Sequence, residues 1–292
     1  MQGGFDLYTA KIENKAGNVY VLTDTESIYQ VMSIQGLNPP KATINLTPIA
    51  GIDGDQFNSS KLESRNIVLM IKINGDVELN RQNLYNYFVT KEWCRFYYSN
   101  GHRDVFIDGY VESLECDFFS NSEYAELSII CPQPYFKSLD QMIVDISNTL
   151  ALFEFPFSIE YDAPEVISSL ETARVTNLFN PSPSETGVMI DIQFLDSVSK
   201  LEIKNVETGE DLTLQHTFLA DDQVEINTQI GQKSAVLIRN GARTNVFSKV
   251  QKGSTFFQLR SGDNFFGYLA DSGASDSDVV IRFRYYLTYR GV

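Results

Sequence analysis

Apolar and polar residues alternate with a period of two through much of the chain. Segments 67–73 (IVLMIKI), 105–111 (VFIDGYV) and 125–131 (AELSIIC) are rich in β-branched and aromatic residues and have the length of strands. Between them stand Asn74-Gly75-Asp76, Ser99-Asn100-Gly101-His102 and Asn121-Ser122, residues that tolerate left-handed dihedrals, so hairpins are predicted. One segment departs from this rule. Leu84, Tyr87 and Phe88 lie three and four apart, and Asn80 is placed to cap a helix of about two or three turns that ends near Thr90. The first half therefore reads as antiparallel β with one short helix, a sandwich or barrel-like domain.

The second half repeats the strand pattern without a helix. Strands are predicted over 187–194, 201–204, 223–227, 235–238 and 279–289, with turns at Glu207-Thr208-Gly209-Glu210, Asn240-Gly241 and Ser261-Gly262-Asp263-Asn264. In the last strand Val279, Ile281, Phe283, Tyr285, Leu287 and Tyr289 alternate with a largely polar set that includes Arg282, Arg284 and Arg290, which predicts one inward face. Short, evenly spaced strands argue for a β-sandwich. Pro132 and Pro134 end a strand and stiffen the chain just before Phe136, so the domains are placed at 1–137 and 138–292.

Between Asn38 and Glu63 the pattern changes. The stretch holds Pro39, Pro40 and Pro48 with Gly51 and Gly54, which suits a long arm or loop better than a core strand. Ile44, Leu46, Ile49, Ile52 and Phe57 are too apolar for a segment that merely meets water.

Charge narrows the partners. The 292 residues carry 23 Lys+Arg against 38 Asp+Glu, a formal charge of −15 and a pI near 4.5. Binding to nucleic acid or anionic lipid depends on cationic side chains, so neither is expected, and no apolar run approaches a membrane span. Cys94, Cys116 and Cys131 are odd in number and lack metal-site spacing, and they read as small buried hydrophobes in a protein kept in a reducing cytoplasm or released without a signal peptide.

Catalytic signatures are missing. His102 sits in a predicted turn and His216 in a short polar stretch, with no nucleophile elbow, no Cys–His spacing and no phosphate-binding glycine pattern. Asp53-Gly54-Asp55, Asp221-Asp222 and the acidic run at 271–278 fall short of a full calcium loop and read as solvated turns. No catalytic residue, metal or cofactor is expected. A sugar-stacking platform is conceivable at Phe265, Phe266 and Tyr268, since exposed aromatic faces can bind pyranose rings. That would make the chain a carbohydrate-binding adhesion module at the host cell wall.

From Ala50 to Ser138 the chain resembles the siphophage distal tail protein family. The resemblance rests on the 49–54 turn (IAGIDG), Ser64-Arg65-Asn66-Ile67, Asn80-Arg81-Gln82-Asn83-Leu84, the 103–111 run (RDVFIDGYV) and the 130–138 run (ICPQPYFKS). The second half is similar to that family's galectin-like C-terminal domain through Asn180, the 187–194 strand, 205–209, 227–231, Asn240-Gly241 and 259–264. The resemblance implies a hexameric ring at the distal end of the tail in the virion, assembled in the host cytoplasm. It also implies a homohexamer contacting the tail tube protein, a tail-associated hub or fibre protein, and receptor-binding or baseplate proteins. DNA would pass through without specific binding, and no membrane is involved. Within it, the 38–63 arm, with Pro39, Pro40, Ile44, Leu46, Ile49, Ile52 and Phe57, and the hairpin near Asn121 are the expected reach toward a neighbouring copy.

Overall fold

Facing registers explain why the alternating segments fold as they do. Ile67 lies opposite Ile129, Leu69 opposite Leu127 and Ile71 opposite Ala125, so two alternating sequences bury one shared face. The computed structural model describes residues 8–24, 26–117, 123–146, 175–271 and 279–292. Two units result: unit 1 is Met1–Leu139 with Thr288–Val292, and unit 2 is Asp140–Leu287.

Unit 1 contains β1 (Thr9–Asn14), β2 (Val19–Val21), β3 (Tyr29–Gln35), β4 (Ala42–Pro48), β5 (Asp55–Leu62), β6 (Arg65–Ile73), α1 (Val77–Tyr87), β7 (Trp93–Ser99), β8 (Asp104–Cys116), β9 (Tyr124–Cys131) and the start of β10 (Phe136–Asp145). The antiparallel order is β2-β1-β7-β8-β9-β6-β3. Leu22, just past β2, accepts from the Val31 amide at 2.7 Å, which draws the two ends of this order together. β8 is long enough to pair first with β7 and then with β9, and it bends where Glu112 is bulged out. Gly109, earlier in β8, lets β9 approach closely, because a Cβ there would stand 2.6 Å from Ile129 Cγ2.

The helix begins earlier than its apolar spacing suggests. Asp76, not Asn80, is the N-cap, its carboxylate accepting from the Leu79 amide at 3.2 Å. Asn80 lies inside the helix, and its side chain donates back to the Asn74 carbonyl at 2.7 Å. Asn74-Gly75-Asp76 is accordingly a strand-to-helix turn and not a hairpin, with Gly75 at φ +79°. Leu84 and Phe88 face the core as their spacing requires.

Unit 2 holds β11 (Val175–Asn177), β12 (Met189–Phe194), β13 (Val198–Asn205), β14 (Asp211–Phe218), β15 (Gln223–Asn227), β16 (Ser234–Arg239), β17 (Ala242–Asn245), β18 (Phe265–Ala270) and most of β19 (Val279–Tyr289). The order β17-β16-β15-β12-β19 makes one layer and β11-β18-β13-β14 the other. Aromatic pairs fill the space enclosed by these strands: Phe194 stacks on Phe218 at 4.2 Å, and Phe266 touches both Phe257 and Phe283. In β19 the inward set holds through Val279, Ile281, Phe283 and Tyr285. The phase then shifts so that Thr288 is buried, at the point where the chain re-enters unit 1.

Candidate functional site

Residues 38–63, expected as a long arm or loop, contain a hairpin of β4 and β5 that pairs with no other strand among the described residues. The sequence signal for β4 was present, since Thr43, Asn45 and Thr47 alternate with Ile44 and Leu46. β5 concealed it. Strict alternation would place Phe57 on the same side as Ser59 and Lys61, which is the polar side. The register shift opposite Asn45 and Leu46 instead pairs Asn45 with Ser59 and Leu46 with Phe57, leaving Asn58 as the extra residue. That bulge moves Phe57 onto the face of Ile44 and Leu46.

The hairpin is therefore two-sided. Its polar side is stitched by Asn45 Nδ2 donating to Ser59 Oγ at 2.9 Å and Asn58 Nδ2 to Thr47 Oγ1 at 2.5 Å. Its apolar side lies open to water, with Ile44 58%, Phe57 60% and Ile52, at the tip, 68% exposed, while Leu46 and Ile49 are exposed as well. Gly51 and Gly54 adopt positive φ at the tip. At the root, Gly36 (φ +89°) is required, since a Cβ would stand 2.1 Å from the Asn66 carbonyl oxygen. Pro39 and Pro40 then stiffen the departure of the chain from unit 1. An isolated two-stranded hairpin is marginal in water, and a row of large apolar side chains outside the core marks a contact surface.

The three aromatic residues considered for sugar stacking do not share a surface. They lie in β18, where consecutive side chains point to opposite faces. Phe266 is 0% exposed, wedged between Phe257 and Phe283, and cannot meet a pyranose ring. Tyr268 pairs with buried Ile203 and packs on the same core, its hydroxyl donating to the Val279 carbonyl. Phe265, on the other face, is left alone.

Other candidate groups have local partners. His102 is in the exposed β7–β8 turn, while His216 meets Phe218 edge-on at 5.1 Å. Burial pushes the Cys94 and Cys131 thiols up to about 12, so neither is a nucleophile at neutral pH. Cys116 is free and half-buried. No group of three or more His, Cys, Asp or Glu residues able to hold a metal occurs among the described residues. The acidic run at 272–278 and the Asn121–Ser122 hairpin tip lie outside the described residues.

Asp222 carries an electrostatic prediction. Its buried carboxylate accepts from Arg239 at 2.5 and 2.8 Å and from the Leu219 amide, and the Arg239 hydrogen bonds hold its pKa below the usual carboxylate range. A lowered folded-state pKa adds stability above the unfolded-chain value of ~3.9, and that stability is lost as pH falls through the folded value. Arg239→Ala should therefore move acid unfolding to higher pH, read by circular dichroism during acid titration. An unchanged midpoint would show the pair to be inert.

Comparison with known proteins converges on one family. Residues 15–131 match the phage tail protein RIFT-related domain, and residues 182–285 match the siphovirus-type tail component, C-terminal domain. No curated protein matches the chain in sequence. Among solved structures, the chain is similar to the Dit protein (gp 19.1) of phage SPP1, described as a paradigm of hub adsorption apparatus in phages infecting Gram-positive hosts. That match has a TM-score of 0.69 at 14% identity, covering 96% of this chain and 99% of that one. It is also similar to a chain of the phage P2 baseplate in its activated conformation with Ca, with a TM-score of 0.56 at 12% identity and coverage of 98% and 99%. The same baseplate with Sr gives a TM-score of 0.53 at 11% identity, with coverage of 95% and 97%. With both halves matched to this kind of tail component and the β-rich fold shared along nearly the whole chain, the protein belongs to the siphophage distal tail protein family, structural components of the tail and baseplate at the distal end of the virion.

Proposed function

We propose that six copies of this chain close into a hub ring joining the tail tube to the tail tip, with no catalytic role and no cofactor. Unit 1 builds the ring and unit 2 faces outward to dock baseplate or receptor-binding proteins. The observation that carries this reading is the β4–β5 hairpin, whose apolar side has no cover among the described residues of its own chain. A second copy is the occupant argued for. Ring closure needs a protrusion on one side of each protomer and a receiving surface on the other, a heterologous contact repeated about an axis. The hairpin's two edges, unpaired among the described residues, and its Ile44, Leu46 and Phe57 row supply the protrusion.

The tail tube protein meets one annular face, and a tail-associated hub or fibre protein meets the other. DNA passes along the axis without specific contacts. Six copies carry a formal charge of 6 × −15 = −90, and the part of it that lines the conduit would discourage adhesion of a polyanion. Light scattering on the purified chain, paired with electron microscopy, tests the proposal. The expected mass is 6 × 33.0 = 198 kDa, in particles with an axial opening wide enough for duplex DNA. A different stoichiometry in tail-tip particles isolated from virions, or a ring without such an opening, would overturn it.

A further inference from the structure

Both feet of the hairpin meet at one buried arginine. β5 ends at Leu62, and only Glu63 and Ser64 separate it from Arg65, the first residue of β6, which is 3% exposed. The Arg65 guanidinium reaches back to the departing foot. Nη1 donates to the Gly36 carbonyl and, at 2.6 Å, to the Asn38 carbonyl. Nε donates to the Pro134 carbonyl at 2.8 Å and Nη2 to the Arg290 carbonyl at 2.6 Å, with the cation 4.4 Å from the centre of the Phe136 ring. None of these partners is a carboxylate. The charge is balanced by backbone dipoles from three separate segments, a use suited to the rigid five-donor fork of arginine.

The segment that ends at Val292 completes the clasp. The Val292 amide donates to the Leu37 carbonyl at 3.2 Å, so the carbonyls of Gly36, Leu37 and Asn38 are all bound immediately before Pro39 and Pro40. Gly291 lies against the same stretch, since a Cβ there would stand 3.1 Å from the Leu37 oxygen and from Pro39 N and Cδ. Its own carbonyl accepts from Arg103 Nη1 at 2.7 Å, and the Arg103 cation sits over the Tyr289 ring at 4.8 Å. A β-hairpin arm thus leaves unit 1 from a root whose dihedrals are held by Arg65 on one side and by residues 290–292 on the other.

We infer that Arg65 and residues 290–292 form a clasp that sets the direction in which the hairpin arm projects, making Arg65 a positioning residue for self-association. The consequence for assembly rests on the ring reading above. The clasp itself does not. An arm held in one direction binds a neighbour without first losing conformational freedom, so loosening it weakens association without removing any contact.

Two substitutions in the full chain test this. Arg65→Lys keeps the charge but replaces the fork by a single ammonium that cannot span four carbonyls. Gly291→Val leaves Arg65 intact and wedges the 290–292 segment away from Leu37 and Pro39. It also serves if Arg65→Lys fails to fold. Spin labels at Asp53→Cys on the arm tip and Asn83→Cys on α1, in a Cys116→Ser background and below the assembling concentration, report arm direction in the single chain. The distance distribution should broaden in both variants with far-UV circular dichroism unchanged, and the concentration for half-assembly should rise about tenfold. A distribution as narrow as in the parent overturns the clasp, whatever assembly does. Broadening with unchanged assembly supports the clasp and removes the arm from the ring contact.

Discussion

Replacing Ile44, Leu46 and Phe57 together by serine should leave the chain folded and abolish the sixfold assembly proposed for it. All three side chains are exposed, so truncation creates no cavity, and surface changes of this kind alter stability by only about 0.5 kcal/mol each. Association is another matter. Burying a large apolar side chain against a partner is worth about 1.5–3 kcal/mol, and each 1.4 kcal/mol is tenfold in affinity. Three such residues at every contact of a ring put the expected loss well beyond about a thousandfold per interface. Light scattering and circular dichroism on the same samples separate assembly from folding. Serine at Asn45 and Asn58 on the polar side is the control, and there the mass should hold. If the triple variant kept the sixfold mass, the hairpin would not be the ring contact.

Phe266→Ala should cost unit 2 about 3–5 kcal/mol, the usual range for deleting a fully enclosed aromatic ring. Phe266 joins Phe257 to Phe283 between the strands of unit 2, and β18 is the middle of its layer, paired with β11 and β13, so the void has little freedom to collapse. Phe265→Ala, on the opposite face of the same strand, should cost far less. Trp93, the single tryptophan, lies in unit 1. In denaturant titrations of the full chain, a shift in far-UV circular dichroism that tryptophan fluorescence does not follow identifies the loss as one in unit 2. Equal shifts for the two substitutions would mean that the inward and outward faces of β18 are misassigned. Any glycan affinity lost in Phe266→Ala would report damage to the core and not a missing sugar contact.

The same strand shows how much of the architecture was legible beforehand. β6, β8, β9, β12, β13, β15, β16 and β19 stood out because one buried face against one wetter face writes itself as alternation. β18 did not, because Phe265, Phe266 and Tyr268 read as a patch until the pleat separates Phe265 from the other two. The helix was found by its spacing but not its start, since Asp76 and Asn80 are both acceptable caps and only the path out of β6 chooses between them. The arm was legible as an arm from its prolines and stranded apolar residues. Its strands were not, because a single bulge at Asn58 breaks the period at the position where Phe57 needed it.

Composition and local pattern alone determined that this is an acidic, antiparallel β protein in two parts, with an apolar segment at 38–63 that its own core does not absorb. Those are properties of neighbours in the chain, and a period of two or a run of prolines carries them in full. Tertiary structure alone decided which face Phe57 occupies, that Phe266 belongs to the core, and that Arg65 gathers carbonyls from Gly36, Asn38, Pro134 and Arg290. Each depends on a register or on a contact between residues up to 225 positions apart. No local preference encodes such a meeting, because it exists only after the strands have paired and brought the distant segments to one place.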